Sequence, residues 1–121
     1  MELKVLDGKF CICKLSGIDI NLADMQYCFF AKTEDEVSLV CRKESLPDSA
    51  AIIDGQWRGM RIVGQLDFAL VGILSKIANI LASEDVAIFA VSTFDTDYFF
   101  VKEYNLEKAI NALSKNGYAV I

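Results

Sequence analysis

The sequence contains no histidine, only one proline and no apolar run long enough to cross a membrane. A membrane-spanning helix needs about 20 consecutive apolar residues, so a transmembrane segment is not expected. The first nine residues, MELKVLDGK, lack the apolar core of a signal peptide, which predicts a cytoplasmic protein. With 54% apolar residues and no low-complexity tract, the chain is expected to fold rather than remain disordered.

Basic residues are also in short supply. The 121 residues include 12 Lys and Arg against 17 Asp and Glu, which gives a formal net charge of −5. No basic stripe is present to neutralise phosphates, so neither nucleic acid nor an anionic membrane surface is an expected partner. A chain of this length can bury a core without a metal or disulfide to hold it together.

Four cysteines, Cys11, Cys13, Cys28 and Cys41, lie in the first third of the chain. Disulfides are not expected in a cytoplasmic protein. Zinc is not expected either, because no CxxC pair or histidine accompanies them. Their apolar neighbours (FCIC, YCFF, LVCR) favour small buried strand residues. No cofactor is predicted.

Residues 1–56 are predicted to form a β-rich module. Residues 9–15 read as a strand, and the apolar runs 27–32 and 37–42 flank an acidic turn, as in a hairpin. Residues 46–59 contain the proline and two glycines and are predicted to connect two modules. A weak internal repeat at an offset of 59 residues aligns Thr33 with Ser92, which suggests related modules.

Residues 57–121 show a clearer order of elements. A strand at 61–64 precedes a helix at 68–83 with Asp67 as its N-cap, because apolar residues recur there at helical spacing. The apolar runs 86–91 and 98–101 form a second hairpin, followed by a helix after Asn105 that stops at Gly117, and a strand at 118–121. The order βαββαβ is typical of an α+β, ferredoxin-like module.

The turn of the second hairpin is unusually polar. Its side chains include Ser92, Thr93, Asp95, Thr96 and Asp97, more hydroxyls and carboxylates than a turn requires. In a ferredoxin-like sheet with strand order 4-1-3-2, this turn and the loop at 65–70 share one edge. Helix N–H groups in the loop suit a carboxylate, and the turn suits an amine, so the pair predicts a zwitterion such as an amino acid.

Residues 57–118 resemble the C-terminal half of small tandem ACT-domain proteins, on the motifs LDFALVGIL and IFAVSTFDTDYFFVK. The first half would then be a degenerate ACT-like module. The resemblance, which extends to the regulatory domains of aspartate kinases, implies non-catalytic regulation by an amino acid bound between ACT modules. By position, the ligand-binding residues would be Gln65, Leu66, Asp67, Phe68, Leu70, Val71, Gly72, Ser92, Thr93, Asp95 and Asp97.

Two other functions stay open at this point. Asp95 and Asp97 could bind a divalent metal, although a DxD in a hairpin turn is weak evidence and no nucleophile and base pair accompanies it. The module could instead join subunits without any ligand. A homodimer is expected, because a module without helices has apolar surface, including some of Phe10, Ile12, Phe29 and Phe30, that needs a covering partner, either the second module or another chain.

Overall fold

The computed structural model describes residues 1–64 and 72–121, and within these it has eight strands, two α-helices and three short 3-10 helices. The strands are β1 (Glu2–Val5), β2 (Phe10–Leu15), β3 (Cys28–Lys32), β4 (Val37–Arg42), β5 (Ala50–Ile62), β6 (Ile88–Ser92), β7 (Asp97–Lys102) and β8 (Ala119–Val120). The α-helices are α1 (Ile73–Ser83) and α2 (Leu106–Lys115). The chain divides into two compact units, a strand unit of residues Gly8–Trp57 and a helical unit of Met1–Asp7 with Arg58–Ile121.

The strand unit is built from β3, β4, β2 and the first part of β5, in that order and all antiparallel. Both strands of the predicted hairpin are present. The predicted connector at 46–59 is wrong, because β5 begins at Ala50 and pairs with β2. Cys13, Leu15, Leu39 and Cys41 form the core of this unit. Phe10, one of the residues expected to need a covering partner, is fully buried within the chain.

The helical unit contains the βαββαβ sequence β5, α1, β6, β7, α2, β8, so the ferredoxin-like prediction is confirmed. Its predicted strand order is wrong in one respect. The N-terminal strand β1 lies between β5 and β8, antiparallel to β5 (Leu3 opposite Ile62) and parallel to β8 (Leu3 opposite Val120). Residues 1–7 therefore belong with the second half of the chain, and the sheet of this unit is not all antiparallel.

Both helices bury their predicted apolar stripes in one core. Ile77 and Leu81 from α1 and Ala109 and Leu113 from α2 pack in a cluster with strand residues that include Phe99. In the described part of the chain, neither helix is long and apolar enough to cross a membrane.

The predicted start of α2 agrees with the structure, whereas the predicted start of α1 lies outside the described residues. Helix α1 begins at Ile73, after Gly72 in the left-handed conformation (φ 81°). The predicted start at Phe68 and the predicted cap Asp67 lie outside the described residues. Helix α2 begins after Asn105, as predicted, but the Asn105 side chain makes no capping hydrogen bond.

Both helices end in the same backbone motif. At the end of α2 the Tyr118 N–H donates to the Leu113 carbonyl at 3.1 Å, and the Gly117 N–H donates to Ser114 at 3.2 Å. Gly117 has φ 92°, which suits the left-handed position of a Schellman motif. Val86 and Asp85 make the equivalent bonds at the end of α1. The predicted stop at Gly117 is thereby confirmed.

Candidate functional site

The polar turn between β6 and β7 is closed mainly by Thr93. Its backbone N–H donates to the Thr96 carbonyl at 2.9 Å, and its hydroxyl donates to the same oxygen at 2.8 Å. The hydroxyl also accepts a bond from the Thr96 N–H at 3.4 Å. Of the predicted site residues, Thr93 therefore has a sufficient role in forming the turn itself.

The other predicted turn residues surround this closure. Ser92 and Asp97 face each other as the last pair of the β6–β7 ladder. Ser92 and Asp95 are exposed, and Asp97 is half-buried. The structure thus brings all four predicted turn residues into one six-residue segment, with two carboxylates at the surface or close to it.

Thr96 is the polar residue of this turn that the site prediction left out. It is only 6% exposed, and its hydroxyl donates to the Ile62 carbonyl at 2.8 Å. This bond fastens the turn to the end of β5, two residues before Gly64. The local sequence does not show that Thr96 is buried while Thr93 is not, because the buried position of Thr96 depends on a hydrogen bond to a carbonyl 34 residues away.

The loop side of the predicted site is described only at its ends. Gln65, Leu66, Asp67, Phe68, Leu70 and Val71 lie outside the described residues, and Gly72 precedes α1 directly. Gly72 occupies the N-cap and has no side chain that can accept from the first-turn N–H groups. The Thr96–Ile62 bond places the β6–β7 turn at the strand end that leads into residues 65–71.

The hairpin of the strand unit repeats this turn. Thr33 donates through its N–H and its hydroxyl to the Glu36 carbonyl, at 2.9 and 3.4 Å. The paired residues of the two hairpins correspond at an offset of 60, so the predicted offset of 59 is wrong by one residue. Buried Thr96 then corresponds to exposed Glu36. The hydrogen bond from Thr96 to the Ile62 carbonyl therefore distinguishes the β6–β7 turn from the β3–β4 turn.

Within residues 1–64 and 72–121, no group of three or more Cys, Asp or Glu side chains is placed to hold a metal ion. Asp95 and Asp97 thus do not belong to a three-ligand cluster within that part of the chain.

A surface groove of about 440 Å³ lies elsewhere in the helical unit, along α2 and the end of α1. Its lining residues are Glu84, Tyr104, Glu107, Lys108, Asn111, Ala112 and Lys115. None of the predicted site residues contributes to it.

Comparison with protein families matches residues 52–115 to the model of the ACT domain. Over 60 residues the chain is 38% identical to subunit 1 of the human cytosolic arginine sensor for mTORC1, which covers 49% of this chain and 18% of that protein. The chain therefore spans less than a fifth of the length of this curated relative.

Two solved structures extend the comparison to nearly the whole chain. A protein of Agobacterium tumefaciens has 30% identity and a TM-score of 0.88, over 99% of this chain and 91% of its own. Clostridium acetobutylicum aspartate kinase, described as an allosteric enzyme, has a TM-score of 0.65 and 17% identity, over 93% of this chain and 33% of the kinase. The kinase shares the fold.

Proposed function

Because this chain belongs to the ACT domain family, we propose that it is a non-catalytic regulatory module that binds an amino acid. The relative named as an arginine sensor supports an amino-acid ligand, and the allosteric kinase supports a regulatory role for this fold. The observation that carries the proposal is the Thr96–Ile62 bond at 2.8 Å. It holds a turn with two carboxylates at the strand end that leads to the start of α1.

The amine of the ligand would meet Asp95 or Asp97. A carboxylate and an ammonium group form a charge-assisted hydrogen bond, which is roughly twice as strong as a neutral one. Asp97, being half-buried, would hold the amine in a less hydrated setting than exposed Asp95. We therefore expect Asp97 to contribute more than Asp95.

The carboxylate of the ligand would meet backbone N–H groups at the start of α1. A helix N-terminus carries partial positive charge and unpaired N–H groups, so it favours anions. The first turn of α1 contains no acidic side chain that would compete for this position. The proposed site comprises residues 65–68 and 70–72 together with Ser92, Thr93, Asp95 and Asp97.

The proposed module acts in the cytoplasm and passes the ligand signal to a separate protein or through its own assembly. Catalysis is not proposed, because the sequence has no histidine and no nucleophile and base pair. The divalent-metal alternative requires ligands in addition to Asp95 and Asp97, since Ca²⁺ and Mg²⁺ take six or more oxygen ligands, some of them from water.

A thermal-denaturation screen of the full chain against the common amino acids tests this function. At 100 times its dissociation constant, a ligand that binds only the folded state adds about 2.7 kcal/mol to the free energy of unfolding. We expect one amino acid or a few related ones to raise the melting temperature, and Asp97→Ala to remove that increase. No response to any amino acid at millimolar concentration would contradict the proposal. An increase in melting temperature with Mg²⁺ or Ca²⁺ alone would favour the alternative that the protein binds a divalent metal.

We also propose that the chain forms a homodimer. The strand unit exposes large apolar side chains, with Ile52 64%, Ile53 51% and Phe30 39% accessible. In a two-fold dimer the same surface patch of each copy contacts its counterpart, so an exposed apolar strand of one copy can cover the same strand of the other. Water-exposed isoleucines on β5 thus favour a second copy as their partner.

Light scattering measures this assembly directly. We expect a mass near twice 13.4 kDa for the wild type and a shift toward the monomer for Ile52→Lys. Ile18→Lys is the matched control, since Ile18 is 59% exposed but lies outside β5. A wild-type monomer at high micromolar concentration would remove the proposal. A dimer without any amino-acid response would favour a purely structural module.

A further inference from the structure

The four cysteines of the strand unit share one face of its sheet. Cys41 on β4 lies opposite Cys11 on β2 and opposite Cys28 on β3. Residues that face each other across antiparallel strands project to the same side, as do residues two positions apart. Cys13 follows Cys11 by two residues and therefore joins this face. None of the four forms a disulfide.

The hydrogen-bond pattern separates the two cysteine pairs. Thr33 donates to the Glu36 carbonyl, which makes them a hydrogen-bonded pair of the β3–β4 hairpin. Pair types alternate along an antiparallel ladder, and Cys28 and Cys41 lie five positions further along. Cys28 and Cys41 are therefore a non-hydrogen-bonded pair, the type in which Cα atoms approach to about 4.5 Å.

The Cys11 and Cys41 pair has the opposite type. Lys43 donates its N–H to the Lys9 carbonyl, which marks a hydrogen-bonded pair of β2 and β4. Cys41 and Cys11 lie two positions further along, so they too are a hydrogen-bonded pair, with Cα atoms about 5.5 Å apart and side chains less close. The register thus favours Cys28 over Cys11 as the partner of Cys41.

We propose that Cys28 and Cys41 are an oxidation site that forms a reversible cross-strand disulfide within the strand unit. A disulfide needs Cβ atoms about 3.5–4.5 Å apart, and non-hydrogen-bonded pairs come closest to that range. The equivalent pair of the other hairpin is Ile88 and Val101, which cannot be linked. Oxidation would therefore join only one of the two related hairpins.

Cys28 is the point of entry for an oxidant. It is half-buried, whereas Cys11, Cys13 and Cys41 are each at most 3% exposed. The Cys28 thiolate attacks one sulfur of a small disulfide such as oxidised glutathione and releases one thiol. Cys41 then loses its proton and attacks the Cys28 sulfur, which releases the second thiol. Two protein thiols are oxidised and one small disulfide is reduced.

The second step should be slow at neutral pH. Burial, with a further contribution from neighbouring Cys13, raises the pKa of the Cys41 thiol to about 12. Only the thiolate attacks a disulfide, and below its pKa the thiolate fraction rises about tenfold per pH unit. We expect the rate of closure to rise by about this factor for each pH unit in the neutral to mildly alkaline range.

The test is incubation of the full chain with oxidised glutathione, followed by alkylation of free thiols and peptide mass mapping. We expect a peptide linked through Cys28 and Cys41, with Cys11 and Cys13 alkylated, and its loss on addition of dithiothreitol. Cys28→Ser should abolish the link, and Cys11→Ala should retain it. Circular dichroism establishes that each variant is folded. The peptide map of the wild type tests the Cys28–Cys41 link by itself, even if neither variant folds.

Three outcomes would overturn the proposal. The first is a link between Cys11 and Cys41, which would show that the register does not select the pair. The second is a glutathione adduct on Cys28 that never closes, even at alkaline pH. The third is a link only between two chains, which would place the reactive thiols at a surface instead of across one hairpin.

Discussion

Replacing Leu3 with alanine is expected to lower the free energy of unfolding by about 2–5 kcal/mol, the usual cost of truncating a fully buried leucine. Leu3 has no exposed surface and packs in the core of the helical unit with Met60 and Ile62. Its strand lies between β5 and β8, and the lost side chain leaves a cavity in the core of the helical unit. Urea unfolding followed by circular dichroism measures the change.

Lys4→Ala is the matched control for this prediction. Lys4 is the next residue of the same strand, but it is exposed, so its truncation should change the free energy of unfolding by no more than about 0.5 kcal/mol. Equal effects of the two substitutions would show that β1 does not belong to the core. The result also tests whether residues 1–7 are part of the helical unit.

Gly59→Ala is expected to cost about 1–3 kcal/mol through overpacking. A Cβ atom at this position would lie 2.8 Å from Cε2 of Phe100 and 3.1 Å from Cδ1 of Leu6. Phe100 is fully buried and stacks on Phe89, with ring centroids 4.6 Å apart, so the ring cannot move without disturbing that contact. Gly59→Val should cost more than Gly59→Ala.

Gly17→Ala separates crowding from the general effect of losing a glycine. An added Cβ at Gly17 would meet nothing within 4 Å, and its backbone does not require glycine. We therefore expect no loss of stability, or a small gain from a less flexible unfolded chain. Urea midpoints for the two alanine variants provide the comparison. A Gly59→Ala variant as stable as Gly17→Ala would contradict the close packing around Phe100.

The elements with strong local patterns were predictable from the sequence. The apolar stripe of α1 and the βαββαβ order depend on spacing within short segments, and the structure retains both. Strand β1 and the part of β5 before Arg61 were not predictable in this way. Gly55 and Gly59 make β5 look like a connector, yet pairing with β2 and β1 and an irregular register near Gln56 (φ 65°) accommodate them. These segments are strands because they pair with segments far away in the chain, and the local sequence pattern does not indicate such pairing.

The candidate site likewise has one part that the local sequence indicates and one part that depends on long-range contacts. A polar turn between two apolar strands was evident in the sequence, and the structure places Ser92, Thr93, Asp95 and Asp97 together there. The buried contact of Thr96 with Ile62 could not be seen, since it joins residues far apart in the chain. The contribution of residues 65–71 stays a prediction from the family resemblance.

Calorimetric titration of the amino acid selected by the thermal screen measures the central claim most directly. We expect wild-type binding to be lost in the double variant Asp95→Asn and Asp97→Asn, because both cation-binding carboxylates are then neutral. Asp35→Asn, at the position equivalent to Asp95 in the other hairpin, should bind as the wild type does. An analogue with its amine acetylated should fail to bind the wild type. Unchanged binding by the double variant would contradict the proposed site, and no heat of binding from any amino acid would contradict the proposed function.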